Sequence, residues 1–188
     1  IDVESSAGKA YLDSILDVFY RAGVREVRLD AAGYAVKRPG SSCFMLPETF
    51  NFIASLTASA AARGIDTLVE VHSHFEVQRE IASSVGRVYD FAVPPLVLHA
   101  LYENDAIPLK NWLAVAPRNC VTVLDTHDGI GIVDVGGDRE RPGLLDDAQI
   151  DRLVNTIHDR TGGASRQASG YAASNLDIYQ VNSTYYDA

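Results

Sequence analysis

Helical patterns alternate with short apolar runs rich in Val, Ile and Leu, and this alternation constrains the fold more than any other feature. Helices are predicted at 6–24, 46–64, 76–86 and 95–105, and strands at 24–31, 65–74, 87–94 and 120–128. Continuous apolar strands separated by helices are typical of a parallel sheet covered by helices. The sequence therefore predicts an α/β fold whose strands all end at one edge.

The character of the chain changes after Asp128. Residues 129–147 are rich in Gly and Asp and predict a loop, residues 147–163 predict an amphipathic helix, and residues 164–188 predict a long functional loop. We interpret 129–147 and 164–188 as active-site loops. No domain boundary is visible, so we expect residues 1–188 to form a single domain.

Composition excludes several classes of protein. The 188 residues are 47% hydrophobic and carry a net charge of -9, which predicts a folded core and argues against binding to nucleic acid or anionic membranes. Cys43 and Cys120 lie in dissimilar contexts, which favours reduced thiols and a cytoplasmic location. No run is long enough to span a membrane. Because the chain starts at Ile1 rather than Met, we expect an internal piece of a longer protein.

Acids follow three of the four predicted strands. The first strand ends in Asp30, the second in Glu70 and the fourth in Asp128. Carboxyl ends of parallel strands share one rim in a barrel, which is where active sites form. Alternation places Arg28 on the same side of its strand as Asp30, where a cation helps to keep that carboxylate ionised.

Several interpretations fit these acids. Each acid taken alone suits a turn or a helix cap. With the HxH pair His72 and His74, the acids also suit a metal-dependent hydrolase. The third interpretation is glycoside chemistry, in which a nucleophile and a general acid/base lie about 5–5.5 Å apart in retaining enzymes. Arg28 favours the third, because a cation beside Asp30 would compete with a metal.

Six ordered blocks carry a more specific resemblance. The chain resembles the sucrose phosphorylases of glycoside hydrolase family 13, within the α-amylase superfamily. The blocks are "RLDAAGY…SSCFMLPETF", "EVHSHF", "RVYDFAVPPLVLHAL", "TVLDTHDGIGIVDVG", "LVNTIH" and "AASNLDIYQVNSTYY".

The resemblance implies a retaining transfer of glucose from sucrose to phosphate, which gives α-D-glucose 1-phosphate and fructose. Asp30 would be the nucleophile that forms a covalent glucosyl ester, and Glu70 the general acid and base. Asp128 would stabilise the oxocarbenium-like transition state. Arg28 would orient Asp30, and His127 would bind the same sugar.

The resemblance also implies the residues that bind the substrates. Tyr34 and Phe44 would line the glucosyl pocket, and His72 would lie near the acceptor side. In the last loop, Asp177 would face fructose, Tyr179 would help to bind phosphate, and Gln180 would contact the fructosyl group. The exchange of Asp177 for Tyr179 would favour phosphate as the second acceptor, because a carboxylate repels it.

The implied fold is about half of a TIM (β/α)8 barrel, strands 4 to 7 with their helices. We therefore expect the isolated chain to be inactive and its parent protein to be the enzyme, which the resemblance allows to be a homodimer. The carboxylate mechanism implies no cofactor and no metal. Related enzymes acting on sucrose 6'-phosphate or glucosylglycerate, a hydrolase of the same family, and a non-catalytic binding protein stay open as alternatives.

Overall fold

The computed structural model describes residues 1–170 and 174–188. Its helices are α1 (Ser6–Arg21), α2 (Pro47–Ala61), α3 (Phe75–Ala82), α4 (Val93–Glu103), α5 (Ile107–Val115), α6 (Asp147–Arg160) and α7 (Ala164–Ala168). Its strands are β1 (Glu26–Leu29), β2 (Asp66–Val69), β3 (Arg87–Asp90), β4 (Cys120–Thr122), β5 (Ile130–Gly131) and β6 (Gln180–Val181). The chain forms two compact units, Ile1–Val71 with Glu80–Tyr89, and His72–Arg79 with Asp90–Ala188.

The first unit is built on parallel strands. β1 pairs with β2 from Glu26↔Asp66 to Leu29↔Val69, and β2 pairs in parallel with β3. α1 begins at Ser5, whose side chain accepts a hydrogen bond from the Gly8 backbone, and α2 begins with Pro47 in its first turn. Leu16, Ala60 and Ile65 form the small apolar core of this unit. The parallel pairing confirms the predicted α/β class.

The second unit has the larger core. Trp112 of α5 is fully buried beside the apolar faces of α4 and α6 and the residues that follow β5. A capping box starts α6, since Asp146 and Gln149 each bind the other's backbone NH. Burying this apolar area is the main stabilising contribution within the unit.

One buried acid ties the start of α4 to α5. Asp90 is the last residue of β3 and accepts hydrogen bonds from the backbone NH groups of Ala92 and Val93 and from the Trp112 indole, at 3.0 to 3.1 Å. Burial raises the pKa of this carboxyl group, and the hydrogen bonds from Trp112 and the helix start oppose the rise. Asp90 is therefore a structural acid at a strand end.

The structure corrects the prediction for 120–128. The regular strand there ends at Thr122, and Thr126 bridges to Gly129 across a tight turn. The two predicted loops also contain regular elements, because β5 lies in 129–147 while α7 and β6 lie in 164–188; β5 and β6 pair in an antiparallel manner. Among the described residues, no helix combines the length and apolarity needed to cross a bilayer.

Candidate active site

Asp30 and Glu70 leave adjacent parallel strands at the same end. The β1–β2 register continues beyond Leu29 and Val69 into a hydrogen bond from the Glu70 backbone NH to the Leu29 carbonyl, 3.1 Å long. The two acids therefore follow paired residues, Leu29 and Val69. Equal positions after neighbouring strands are the reason that residues 40 apart in number contact the same cation.

Arg28 joins these two carboxylates. Its Nη1 lies 2.6 Å from Asp30 Oδ1, and its Nη2 lies 2.7 Å from Glu70 Oε2. Glu70 also accepts a hydrogen bond of 3.3 Å from the Ala31 backbone NH. The Asp30 side chain is 71% exposed and the Glu70 side chain 9% exposed, so the two acids have different access to a ligand.

The charge of Arg28 is maintained by its partners. Burial lowers the pKa of the guanidinium, but the carboxylates of Glu70 and Asp30 raise it, and the net shift is upward. A planar guanidinium can contact two carboxylates at fixed angles, which a lysine ammonium does less well. This arrangement holds an accessible carboxylate and a shielded one beside the same cation.

The segment after Asp30 folds tightly. Ala31 has a φ of 46°, in the left-handed region that non-glycine residues rarely adopt. A Cβ atom at Gly33 would lie 2.8 Å from the Phe44 ring, so a larger residue there would require that ring to move. Tyr34 and Phe44, both predicted pocket residues, contact each other with ring centroids 4.8 Å apart. Tyr34, Arg28 and Asp30 line an open depression of about 320 Å³.

His72, in the second unit, has a partner on each ring nitrogen. Nδ1 lies 2.8 Å from Asp134 Oδ2, and Nε2 lies 2.9 Å from the amide nitrogen of Gln180. The imidazole stacks on Phe91 with ring centroids 3.7 Å apart, and the Tyr179 hydroxyl donates to the His72 carbonyl oxygen at 3.0 Å. Three residues predicted to bind substrate, His72, Tyr179 and Gln180, are thus brought together.

His127 and Asp128 occupy the tip of the turn that Thr126 and Gly129 close. Two backbone hydrogen bonds join Thr126 and Gly129, and the Gly129 φ is 100°. A Cβ atom there would lie 2.2 Å from the Val181 carbonyl oxygen, so the close approach to β6 requires glycine. His127 Nε2 lies 3.4 Å from Asp128 Oδ2, and both side chains are accessible, at 72% and 43%.

The remaining predicted residue, Asp177, is exposed on a short turn of helix and accepts a hydrogen bond of 2.9 Å from the Ser174 hydroxyl. Tyr171, Ala172 and Ala173, which belong to the predicted loop 164–188, lie outside the described residues. Within residues 1–170 and 174–188, no three His, Cys, Asp or Glu side chains are grouped as metal ligands.

The comparisons with known proteins agree along the whole chain. It is 58% identical to sucrose phosphorylase from Agrobacterium vitis and 53% identical to sucrose phosphorylase from Bifidobacterium adolescentis, over 100% of its length in each case. The chain is homologous to the sucrose phosphorylases. No family model matches it.

A solved structure supports the same relationship. The crystal structure of sucrose 6F-phosphate phosphorylase from Thermoanaerobacter thermosaccharolyticum covers 99% of this chain with a TM-score of 0.84 and 34% identity. The chain spans about two-fifths of the length of its sucrose phosphorylase relatives, 39% and 38%, and 36% of the solved structure. The predicted resemblance to the sucrose phosphorylases is therefore confirmed by homology along the whole chain.

Asp134 is the residue that sequence reasoning missed in this sucrose phosphorylase homologue. It is fully buried and accepts hydrogen bonds from His72, the Ser73 backbone NH and Gln78. A signal was present, because Asp134 alone interrupts the apolar run from Ile130 to Val135. An acid among buried apolar neighbours needs donors nearby, which favours a site rather than a loop.

Proposed function

We propose that the protein containing this chain is a sucrose phosphorylase that transfers glucose with retention of configuration from sucrose to inorganic phosphate. The observation that carries this proposal is the pair Asp30 and Glu70, held by Arg28 at adjacent strand ends, in a chain 58% identical to a sucrose phosphorylase. The barrel architecture belongs to the same proposal, with this chain supplying strands 4 to 7 and their helices. We also propose a cytoplasmic enzyme that needs no organic cofactor.

The first half-reaction assigns different tasks to the two acids. The accessible carboxylate of Asp30 attacks the anomeric carbon of the glucosyl group, the bond to the fructosyl oxygen breaks, and Glu70 gives its proton to that oxygen. Fructose leaves, and a glucosyl ester of Asp30 is formed. The contact of Arg28 with Asp30 and Glu70 fixes the orientation of both groups before the reaction.

The second half-reaction returns the protein to its starting state. A phosphate oxygen attacks the anomeric carbon, the ester bond to Asp30 breaks, and Glu70 takes a proton where the incoming phosphate carries one. Two inversions give net retention, so the product is α-D-glucose 1-phosphate. Asp128 and His127 bind the glucosyl group and stabilise the positive charge that develops at the anomeric carbon.

The choice between fructose and phosphate is assigned to residues 177–180. Tyr179 and Gln180 contact His72, while Asp177 accepts a hydrogen bond from Ser174, so these residues have different partners along a short segment. An aspartate near the incoming phosphate would repel it, and its replacement by a tyrosine hydroxyl would permit binding. We propose that this segment changes conformation between the two half-reactions.

Two other activities are alternatives to sucrose phosphorolysis. The solved relative is a sucrose 6F-phosphate phosphorylase, which keeps a phosphorylated fructosyl group open as the leaving sugar. The higher identity to two sucrose phosphorylases, 58% and 53% against 34%, favours plain sucrose. A metal-dependent hydrolase is disfavoured because the Arg28 guanidinium occupies the position between the carboxylates of Asp30 and Glu70.

The test uses the full-length protein that carries this segment. Sucrose or sucrose 6'-phosphate is incubated with phosphate, and glucose 1-phosphate and its anomeric configuration are measured. The α anomer from sucrose, lost in Asp30→Asn and retained in Asp13→Asn, would support the proposal. Asp13 is the matched control because its carboxylate binds Ser59 and Arg63, away from the proposed site. Wild-type turnover by Asp30→Asn would overturn the assigned nucleophile.

A further inference from the structure

Asp134 is a buried acid surrounded by groups that can donate hydrogen bonds. Its side chain is fully buried, Oδ2 accepts from His72 Nδ1, and Oδ1 accepts from the Ser73 backbone NH at 3.2 Å and from the Gln78 amide. A buried carboxylate costs free energy unless such donors surround it. The proposed chemistry does not use Asp134, so this acid has another reason to be there.

The carboxylate determines which nitrogen of His72 carries the proton. A carboxylate only accepts, so the neutral ring of His72 carries its proton on Nδ1 and keeps a lone pair on Nε2. The group next to Nε2 is the amide nitrogen of Gln180, 2.9 Å away, which must therefore donate. Asp134 therefore determines the orientation of the Gln180 amide, and with it the position of the amide carbonyl oxygen. It acts through two successive hydrogen bonds, one between Asp134 and His72 and one between His72 and Gln180.

Other neighbours keep this relay, the hydrogen-bonded series Asp134–His72–Gln180, in place. The imidazole is stacked on Phe91 at an angle of 16°, which opposes rotation of the ring. Gly131 leaves the room that the contact needs, since a Cβ atom there would lie 2.2 Å from Asp134 Oδ2 and 3.2 Å from His72 Nδ1. Both features fix the His72 ring against one acid.

We propose that Asp134 is a positioning residue for the acceptor side of the site. Through the tautomer of His72, it makes Gln180 present its carbonyl oxygen, a hydrogen-bond acceptor, to the hydroxyl groups of the leaving sugar. The role given to Gln180 rests on the proposed function, whereas the link from Asp134 to the His72 tautomer rests on the structure alone.

Asp134→Asn reverses the polarity of the relay. The two donors at Oδ1 retain the amide oxygen of the new residue, so its NH2 group faces His72 Nδ1. His72 must then be protonated at Nε2, and the Gln180 amide must rotate to accept from it. Asp138→Asn is the matched control, because Asp138 is an exposed acid of the same segment and binds Arg141.

The first measurement does not depend on activity. In the full-length protein labelled with 15N at histidine, long-range 1H–15N spectra report the protonated nitrogen of each ring, and loss of a signal in His72→Gln assigns His72. We expect Nδ1–H in the unaltered protein and in Asp138→Asn, and Nε2–H in Asp134→Asn. His72 protonated at Nε2 in the unaltered protein, or an unchanged tautomer in Asp134→Asn, would overturn the proposal. If the variant fails to fold, the tautomer of His72 in the unaltered protein still tests the proposal.

The second measurement separates positioning from general damage. α-D-Glucosyl fluoride delivers the same glucosyl group without a leaving sugar, so it bypasses Gln180. We expect Asp134→Asn to lower kcat/KM for sucrose relative to the fluoride by about tenfold, the loss of one buried hydrogen bond, and Asp138→Asn to leave this ratio unchanged. Equal losses for the two donors would contradict the positioning role. If the unaltered protein uses neither donor, the proposed function fails, while the spectra still decide the tautomer.

Discussion

Arg28 is the residue on which the arrangement of the two acids of the first unit depends. It contacts Asp30 and Glu70 with separate guanidinium nitrogens at 2.6 and 2.7 Å. A lysine at this position keeps the charge, but its single ammonium cannot form both contacts in the same geometry. The acids would then keep their charges and lose their relative orientation.

We expect Arg28→Lys to lower kcat/KM for sucrose by about a hundredfold in the full-length protein, because small displacements of reacting groups have effects of that size. Steady-state release of fructose measures this loss. Arg38→Lys is the control, since Arg38 likewise bridges two carboxylates, Glu4 and Glu48, outside the proposed site. Equal losses in the two variants would show that charge and stability, rather than positioning, explain the effect.

Some contacts of the site residues can be predicted from the sequence and others cannot. Alternation along β1 is enough to place Arg28 beside Asp30, and the order of strands is enough to bring Glu70 to the neighbouring strand end. Asp134 could not be predicted in the same way, because its environment depends on His72, 62 residues earlier, and on Gln78. The apolar run around Asp134 indicates a buried acid, but the donors that surround it are a property of the folded chain.

At the scale of elements, β5 is adapted to the His72–Asp134 contact. Gly131 has no positive φ, so its requirement comes from space, as its Cβ would overlap Asp134 Oδ2. We expect Gly131→Ala to lower the free energy of unfolding by about 1–3 kcal/mol, the usual cost of overpacking. Chemical denaturation followed by circular dichroism measures this change.

Gly86→Ala serves as the control for that variant. The added Cβ would lie 3.5 Å from the Thr67 carbonyl oxygen, which is ordinary van der Waals contact. We expect it to change stability much less than Gly131→Ala does. Equal destabilisation by the two substitutions would refute the steric explanation.

The junction of α6 and α7 gives a prediction for pH. His158 is buried, and its Nδ1 lies 2.6 Å from the Ser165 hydroxyl oxygen. Burial lowers the pKa of this imidazole below its usual 6.5, and Arg166 lowers it further against a weaker opposing effect of Asp159. Below 6.5 the unfolded chain therefore binds more protons than the folded chain does at this residue.

Stability should consequently fall as the pH decreases from 6.5 towards the lowered pKa of His158, by at most about 1.4 kcal/mol per pH unit. Urea denaturation at several pH values measures this slope. His158→Gln should reduce it, and Arg152→Gln, on the same helix, should retain it. An unchanged slope in His158→Gln would show that His158 does not cause the pH dependence.

The elements themselves were predicted unevenly. The helix predicted at 147–163 is observed as Asp147–Arg160, because its apolar spacing and capping residues are local signals. β5 and β6 are strands of two residues each that lie about 50 residues apart in the sequence. No local pattern therefore predicts that they pair. The strand predicted through Asp128 stops early because the turn at Thr126–Gly129 requires the chain to reverse.

At the scale of the whole molecule, the chain spans 39% of the length of the Agrobacterium vitis relative. Among the described residues, β1 pairs with β2 and no strand covers its other edge, and apolar side chains such as Tyr11 and Val18 are more than half exposed on α1. A barrel enzyme binds its substrate with loops from the whole rim. Under the proposed barrel architecture, a chain of this length supplies strands 4 to 7 and only the loops that belong to them.

We therefore expect the purified 188-residue chain to produce no glucose 1-phosphate from sucrose and phosphate, and the full-length protein to produce it. A coupled assay for glucose 1-phosphate measures both preparations. Circular dichroism of the short chain shows whether it is folded when it is assayed. Full turnover by a folded 188-residue chain would contradict the expectation.

The central claim is that Asp30 forms a covalent ester with glucose, and one peptide tests it. Cleavage after Arg28 and Lys37 releases residues 29–37, in which Asp30 is the only acidic side chain. The full-length protein with Glu70→Gln is treated with α-D-glucosyl fluoride in the absence of phosphate, quenched in acid, digested and analysed by mass spectrometry. We predict that this peptide gains the mass of one glucosyl group. A glucosyl group on a peptide that lacks Asp30, or on no peptide while fluoride is released, would contradict the account.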